Sequence, residues 1–184
     1  MVLLINKLYY AFLTLKKRRY IKLLINRGLN VGKNVWFVDT FFLDPSHCYL
    51  ISIGDNSTIC PNVRMIAHDA STKKLLGYTK FGKIDIRENS FIGDSTVILP
   101  NVTIGPNSIV GAGSVVTKSV PANTVAAGNP AKPICSLEEY LLKIKGKVAS
   151  GKKIFSKDYG IDILNTKQRQ ELIDDVKDSM GFII

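Results

Sequence analysis

Ile86-Arg87-Glu88-Asn89-Ser90-Phe91-Ile92-Gly93-Asp94-Ser95-Thr96-Val97-Ile98-Leu99-Pro100-Asn101-Val102-Thr103-Ile104 returns an aliphatic residue at every sixth position, and the series runs on to Val110 and Val116. Four residues after each anchor stands a small or β-branched side chain: Ser90, Thr96, Val102, Ser108, Ser114 and Val120. Both positions must face one core. Between them lie turn-forming pairs, Glu88-Asn89, Asp94-Ser95, Pro100-Asn101, Pro106-Asn107 and Ala112-Gly113, which supply positive φ or a fixed φ. Each hexapeptide therefore reads as one short strand and one corner.

A six-residue unit matches the parallel β-helix, in which three strands and three corners make a coil and stacked coils bury what one coil cannot. Strands of neighbouring coils pair in parallel roughly 4.8 Å apart, leaving only the two ends of the stack as open edges. Residues 86–121 supply two uninterrupted coils, 53–70 one more, and 31 to about 48 a less regular first coil. The stretch from Ala70 to Gly82 breaks the period, and its composition predicts an external loop. Spacing is silent on handedness, for which the general rule for parallel crossovers predicts right-handed.

Val110-Gly111-Ala112-Gly113-Ser114-Val115-Val116-Thr117-Lys118, followed by Ala127-Gly128-Asn129-Pro130-Ala131-Lys132, resembles the end of the hexapeptide-repeat acyltransferases, which include maltose, galactoside and polysaccharide O-acetyltransferases. Ala67-His68-Asp69-Ala70-Ser71-Thr72 is similar to a branch associated with surface-sugar acetylation. The resemblance covers residues 31–134. It implies an all-β solenoid, a left-handed parallel β-helix, with acetyl-coenzyme A as cosubstrate, a saccharide acceptor, and a homotrimer whose active sites lie between subunits.

His68 falls at the fourth position of its hexapeptide, a corner, so its side chain projects from the prism edge just before the loop departs. An imidazole suits general-base work near neutral pH. A lone surface histidine is usually inert; the resemblance assigns this one the acceptor hydroxyl's proton. Asp69, Asp44 and Glu88 are candidates by chemistry alone to orient it. For the coenzyme, the resemblance marks Ala112, Gly113, Thr117, Lys118 and Lys132, corner backbone meeting the pantetheine arm and lysines its phosphates. The plain alternatives are a tight corner and a solvated basic face. Where relatives often carry arginine this chain has Lys132, and where they frequently carry tryptophan it has Phe91. Asp39 and Asp44 align loosely with sugar-contacting positions, although Asp44-Pro45-Ser46 is also an ordinary turn. His47, after that turn, reads as structural. Tyr78 and Lys80 are placed near a substrate by their position in the loop alone.

One solenoid domain with appendages fits 184 residues with 46% hydrophobic content. A net charge of +10 suits a polyanion, an anionic membrane or a phosphorylated cofactor, or keeps a repeat protein soluble. The cations lack the aromatic interleaving of a nucleic-acid module, so no nucleic-acid partner is expected. Cys48, Cys60 and Cys135 show no metal-like spacing and read as free thiols. With two histidines and no Cys/His cluster, no metal is expected; the γ-type carbonic anhydrases of this fold need three histidine ligands. An N-acetyltransferase on an amino sugar or antibiotic, and a non-catalytic solenoid, remain as alternatives.

Residues 1–30 read as an amphipathic helix, with Leu3, Leu4, Leu8, Phe12 and Leu15 at helical spacing, Lys16-Lys17-Arg18-Arg19 after them, and Gly28 as a stop. The charges follow the apolar run, unlike a signal peptide, and the run is too short to span a membrane. Two roles stay open: covering an end of the prism or packing on a neighbour, or lying on the membrane surface through residues 1–27 near a lipid-linked acceptor. The protein is accordingly placed in the cytoplasm or peripherally at the inner face of the membrane. Residues 135–184 read as a helical tail, one helix opened by Ser136 and Glu139 and another starting near Thr166, with Ser150-Gly151-Lys152-Lys153 as linker.

Overall fold

The computed structural model describes the backbone of residues 2–150, 154–159, 164–177 and 180–183, with side chains from Phe12 onward. The chain divides into two compact units, Met1–Leu137 and Glu138–Ile184. In the first, the chain visits three sheets in the same order once per coil. One sheet is built from Asn30–Val31, Ile51–Ile53, Ile84–Ile86 and Val102–Ile104, all parallel. A second holds Trp36–Phe37, Thr58–Ile59, Phe91–Ile92, Ile109–Val110 and Thr124–Gly128, and a third Phe41–Leu43, Val63–Met65, Val97–Ile98 and Val115–Val116.

The hexapeptide arithmetic accounts for the core. The anchors Ile86, Ile92, Ile98, Ile104, Val110 and Val116 have no exposed surface, and the companion residues Ser90, Thr96, Val102, Ser108, Ser114 and Val120 are all buried with them. The buried hydroxyls are satisfied by backbone carbonyls, as where Ser90 donates to Gly105 (3.1 Å) and Ser108 to Pro121 (2.8 Å), so their burial carries no desolvation penalty for an unmade bond. Asn34, Asn56, Asn89, Asn107 and Asn123 turn one edge of the prism with φ between 54° and 56°, the left-handed region that asparagine tolerates best after glycine. Their side chains join amide to amide down that edge at 3.1–3.4 Å.

Two glycines show opposite constraints. A Cβ at Gly105 would lie 2.4 Å from Ala122 N and 2.7 Å from Ala122 Cα, backbone of the next coil that cannot yield without breaking the stack. Gly105→Ala is therefore expected to cost about 3 kcal/mol in urea unfolding. Gly113→Ala, with φ +67° and open space around the Cβ, should cost only roughly 1 kcal/mol of backbone strain.

The stack is interrupted twice, both times on the corner between the third and first sheets. After Leu43 a turn and the 3-10 segment Cys48–Leu50 delay the next coil. After Ala67 an arm leaves: His68–Asp69 pairs antiparallel with Lys80–Phe81, and between them helix Lys73–Leu76 is closed by Gly77 at φ 79°. The external loop expected from composition is thus a hairpin with its own short helix.

At one end the stack is covered by the N-terminal helix, α1 (Val2–Asn26), which belongs to the same unit as the coils. Leu24 is fully buried in the common core, Lys17 Nζ donates to the carbonyls of Phe37 (2.8 Å) and Val38 (3.1 Å), and Tyr20 lies against Phe41. Gly28, at φ 101°, ends the helix as expected, its N–H donating to Ile25 O (2.9 Å). The side chains of Leu3, Leu4 and Leu8 lie outside the described residues. At the other end Thr124–Gly128 reverses into an antiparallel strand, Ala131–Ser136. The tail therefore starts later than residue 135: helix Leu137–Ala149 follows a strand that extends the second sheet.

In the second unit, helix Thr166–Asp175 starts where the sequence reading set it. Asn165 accepts from Gln168 N (2.9 Å) and Gln168 Oε1 accepts from Asn165 N (3.0 Å), a reciprocal cap. A parallel pair, Ile154–Phe155 with Phe182–Ile183, was not anticipated, and Phe155 within it is buried. Gly151, Lys152 and Lys153 of the expected linker lie outside the described residues.

Candidate active site

The two interruptions leave the same edge in successive coils, and that superposition makes the site. Asp44 ends the third-sheet strand of the first coil, its N–H bonded to Met65 O (3.0 Å), and opens a turn in which His47 N donates to Asp44 O (3.0 Å). Aspartate first and proline second is the ordinary turn preference, so the turn reading holds. One coil on, His68 begins the arm. Its Nδ1 lies 2.6 Å from Asp44 Oδ2, which also accepts the N–H of Ala67 (2.9 Å).

Asp44 is 1% exposed, whereas the His68 side chain keeps 34% of its surface. A buried carboxylate can only accept, so the 2.6 Å bond requires Nδ1 to carry the proton and leaves Nε2 as the basic nitrogen. Of the three candidates to orient His68, Asp44 is the one in place. Its burial removes it from the open surface where a sugar contact was expected. Asp69 turns to Lys80 Nζ (2.6 Å) and to Ser71 N (2.8 Å) instead. Glu88 sits on the asparagine-lined edge, another corner of the prism.

His47, taken from sequence as structural, joins the pair. Its ring centroid is 4.5 Å from that of His68, and its Nδ1 is 3.9 Å from Asp44 Oδ1. Those two atoms are buried without a hydrogen-bond partner among the described residues. Asp44, His47 and His68 also offer one ligand atom each within 4.8 Å of one another and could hold a metal ion, a set that spacing along the chain did not suggest.

The arm is pinned at its base. The Lys80 ammonium, with the Ser71 N–H, holds the Asp69 carboxyl down to about 2. With a folded value below the unfolded value of about 4, the pair contributes above that range and is lost as pH falls through about 2. A carboxyl-carbon NMR titration should find the Asp69 midpoint near 2, moving back toward about 4 in Lys80→Met.

The remaining candidates distribute along the third sheet, where Phe42, Arg64, Val97 and Val115 are in register. Thr117 and Lys118 follow Val115–Val116 and so leave from the edge that carries His68, two coils on, roughly 10 Å along the axis. Ala112 and Gly113 turn the opposite edge of that sheet. Both are exposed, and nothing lies within 4 Å of a Cβ built on Gly113, which leaves room for another molecule against the backbone. Lys132, exposed, stands opposite Ala127, whose Cβ is 2.8 Å from one built on Gly111, beside that corner. Phe91 points out of the second sheet, in register with Thr58 and Ile109.

Asp39 is not brought to His68. It lies on the edge between second and third sheets, in the wall of a 620 Å³ groove with Lys16, Lys17, Tyr20, Val38 and Phe41. Tyr78 stands on the arm with 74% of its surface exposed. None of the three cysteines is disulfide-bonded, and burial, reinforced by Asp94, pushes the Cys60 thiol up, away from nucleophilic use. No helix among the described residues is long and apolar enough to cross a membrane.

Residues 83–118 match the family model described as bacterial transferase hexapeptide (six repeats). Protein CapG of Staphylococcus aureus is 42% identical over 163 residues, 84% of this chain and 93% of that one. The solved maltose O-acetyltransferase of Clostridium difficile is 31% identical with a TM-score of 0.51, covering 65% of this chain and 75% of that one. A hexapeptide-repeat acetyltransferase of Vibrio cholerae, solved in complex with acetyl-coenzyme A, is 25% identical at a TM-score of 0.50, over 66% of this chain and 78% of that one. The chain spans little more than half the length of other curated acetyltransferases it matches, 57% and 56% for one from fission yeast and one from Escherichia coli.

Proposed function

The chain belongs to the bacterial hexapeptide transferases, and from that premise we propose that it moves the acetyl group of acetyl-coenzyme A onto a hydroxyl of a saccharide, with His68 as general base. The observation that carries this reading is the Asp44–His68 pair, a buried carboxylate 2.6 Å from Nδ1 of a partly exposed imidazole at the edge of the coil. His68 Nε2 takes the acceptor's proton as its oxygen attacks the thioester carbonyl. The tetrahedral oxyanion is stabilised by backbone N–H donors, then collapses to the acetyl ester and expels the coenzyme A thiolate, which recovers the proton from the imidazolium. Direct transfer needs no covalent enzyme intermediate and no metal.

The coil is taken as left-handed, as the resemblance implies. The coenzyme lies along the third sheet, its pantetheine arm against the Ala112-Gly113 corner and its phosphates near Lys118 and Lys132, with Thr117 between. The acceptor is a surface polysaccharide or its lipid-linked precursor. In a homotrimer the groove between subunits brings the edge that carries Asp39, and the exposed Tyr78 of the arm, toward a neighbour's His68. That arrangement accounts for Asp39, which does not reach His68 within a single chain.

Calorimetric titration of the purified protein with acetyl-coenzyme A tests the donor first, because it needs no acceptor. Saturable binding weakened by Lys118→Ala with Lys132→Ala supports the reading. Absence of binding by the folded protein retires it. Mass spectrometry of a saccharide incubated with enzyme and donor then tests the acceptor, and a base-labile acetyl ester is the expected product.

A further inference from the structure

We propose that the outward face of α1 docks the protein on an anionic lipid surface. The inward face packs on the first coil through Lys17, Tyr20, Ile21 and Leu24, all partly or fully buried, and the partly buried Leu13 lines the groove beside it. On the opposite face Phe12 is 58% exposed, Leu15 50% and Leu23 47%, and these three alternate with the exposed cations Arg18, Arg19 and Lys22. No aspartate or glutamate occurs anywhere before Asp39, so the first 38 residues carry positive charge without an internal counter-charge.

This mixture selects among partners by its chemistry. Apolar side chains set between cations match the boundary of a bilayer, where Phe12, Leu15 and Leu23 enter the acyl region while arginine and lysine meet phosphate headgroups. A nucleic acid would engage the cations and leave those three side chains in water. A second copy presenting the same face would set like charges against one another. Because the inward face fastens α1 to the prism, docking would hold the coils at the membrane instead of tethering them loosely.

The test uses the full-length protein and sedimentation with vesicles of phosphatidylcholine alone or mixed with phosphatidylglycerol. Binding is expected only to the mixed vesicles, and to weaken as salt rises. The triple variant Arg18→Ala, Arg19→Ala, Lys22→Ala should lower the partition coefficient roughly a hundredfold. Phe12→Gln with Leu15→Gln, which alters no charge, should lower it at least tenfold. Alanine and glutamine are good helix formers at exposed positions, and an unchanged circular dichroism spectrum certifies each variant. Equal binding to both vesicle types, undiminished binding by the triple variant, or no vesicle binding at all would overturn the proposal. If the Phe12/Leu15 variant bound as tightly as the unaltered protein and duplex DNA competed, the face would be a general polyanion patch and the lipid assignment would be wrong.

Discussion

His68→Ala is expected to lower kcat about a thousandfold while leaving the affinity for acetyl-coenzyme A unchanged. General-base catalysis contributes roughly 10² to 10⁴ in rate, and no second imidazole stands ready to replace it. His47 packs on His68 at 4.5 Å between centroids, but its Nδ1 is buried against Asp44. Folding should survive, because His68 is partly exposed and its strand bonds to the arm are made by backbone. Initial rates of coenzyme A release with saturating donor and acceptor give the comparison, and calorimetry gives donor affinity. A variant that kept more than a tenth of the activity would remove His68 from the mechanism. One that lost donor binding as well would place it in the coenzyme site.

Asp44→Asn should cost a comparable factor, about a hundredfold to a thousandfold in kcat, by a different route. The asparagine carbonyl can still accept the Ala67 N–H, so the local backbone is preserved. The same carbonyl oxygen, in the place of Oδ2, still accepts from His68 Nδ1, but the neutral amide removes the negative charge that stabilises the imidazolium formed as Nε2 takes the acceptor's proton. The protein should keep its unfolding midpoint and its affinity for acetyl-coenzyme A while turnover collapses, a combination that a purely structural role would not produce. Asp44→Ala is the harsher change: it strands the buried Ala67 N–H and adds roughly 1–3 kcal/mol of instability to the loss of rate. Full activity in Asp44→Asn would show that the charge of the buried carboxylate is incidental to catalysis.

The solenoid was legible because each of its requirements recurs locally. Six-residue spacing of anchors, small companions and turn pairs lie within a few residues of one another, so the core could be written down residue by residue. The site was legible in half. His68 announced itself as a corner residue ahead of a break in the period. Asp44 was visible as a turn, but its function was not, because it meets His68 across 24 residues and through an irregular first coil. The turn after Asp44 shifts the register by which coil positions are otherwise aligned, and Asp69 and Glu88 were equal rivals on chemistry alone. His47 carried no local signal whatever.

The sequence by itself determined the repeat, the number of coils, the buried anchors and companions of those coils, the external loop and the basic, carboxylate-free N-terminal segment. Those follow from local periodicity and composition, which act at a separation of a few residues. Tertiary structure alone decided which carboxylate meets the histidine, that Asp39 lies on another edge of the prism, that α1 covers the end of the stack, and that Phe155 is buried in the tail. These depend on which coil lands over which. Stacking sets that by hydrogen bonds between residues a whole coil apart, whatever lies between them in the chain.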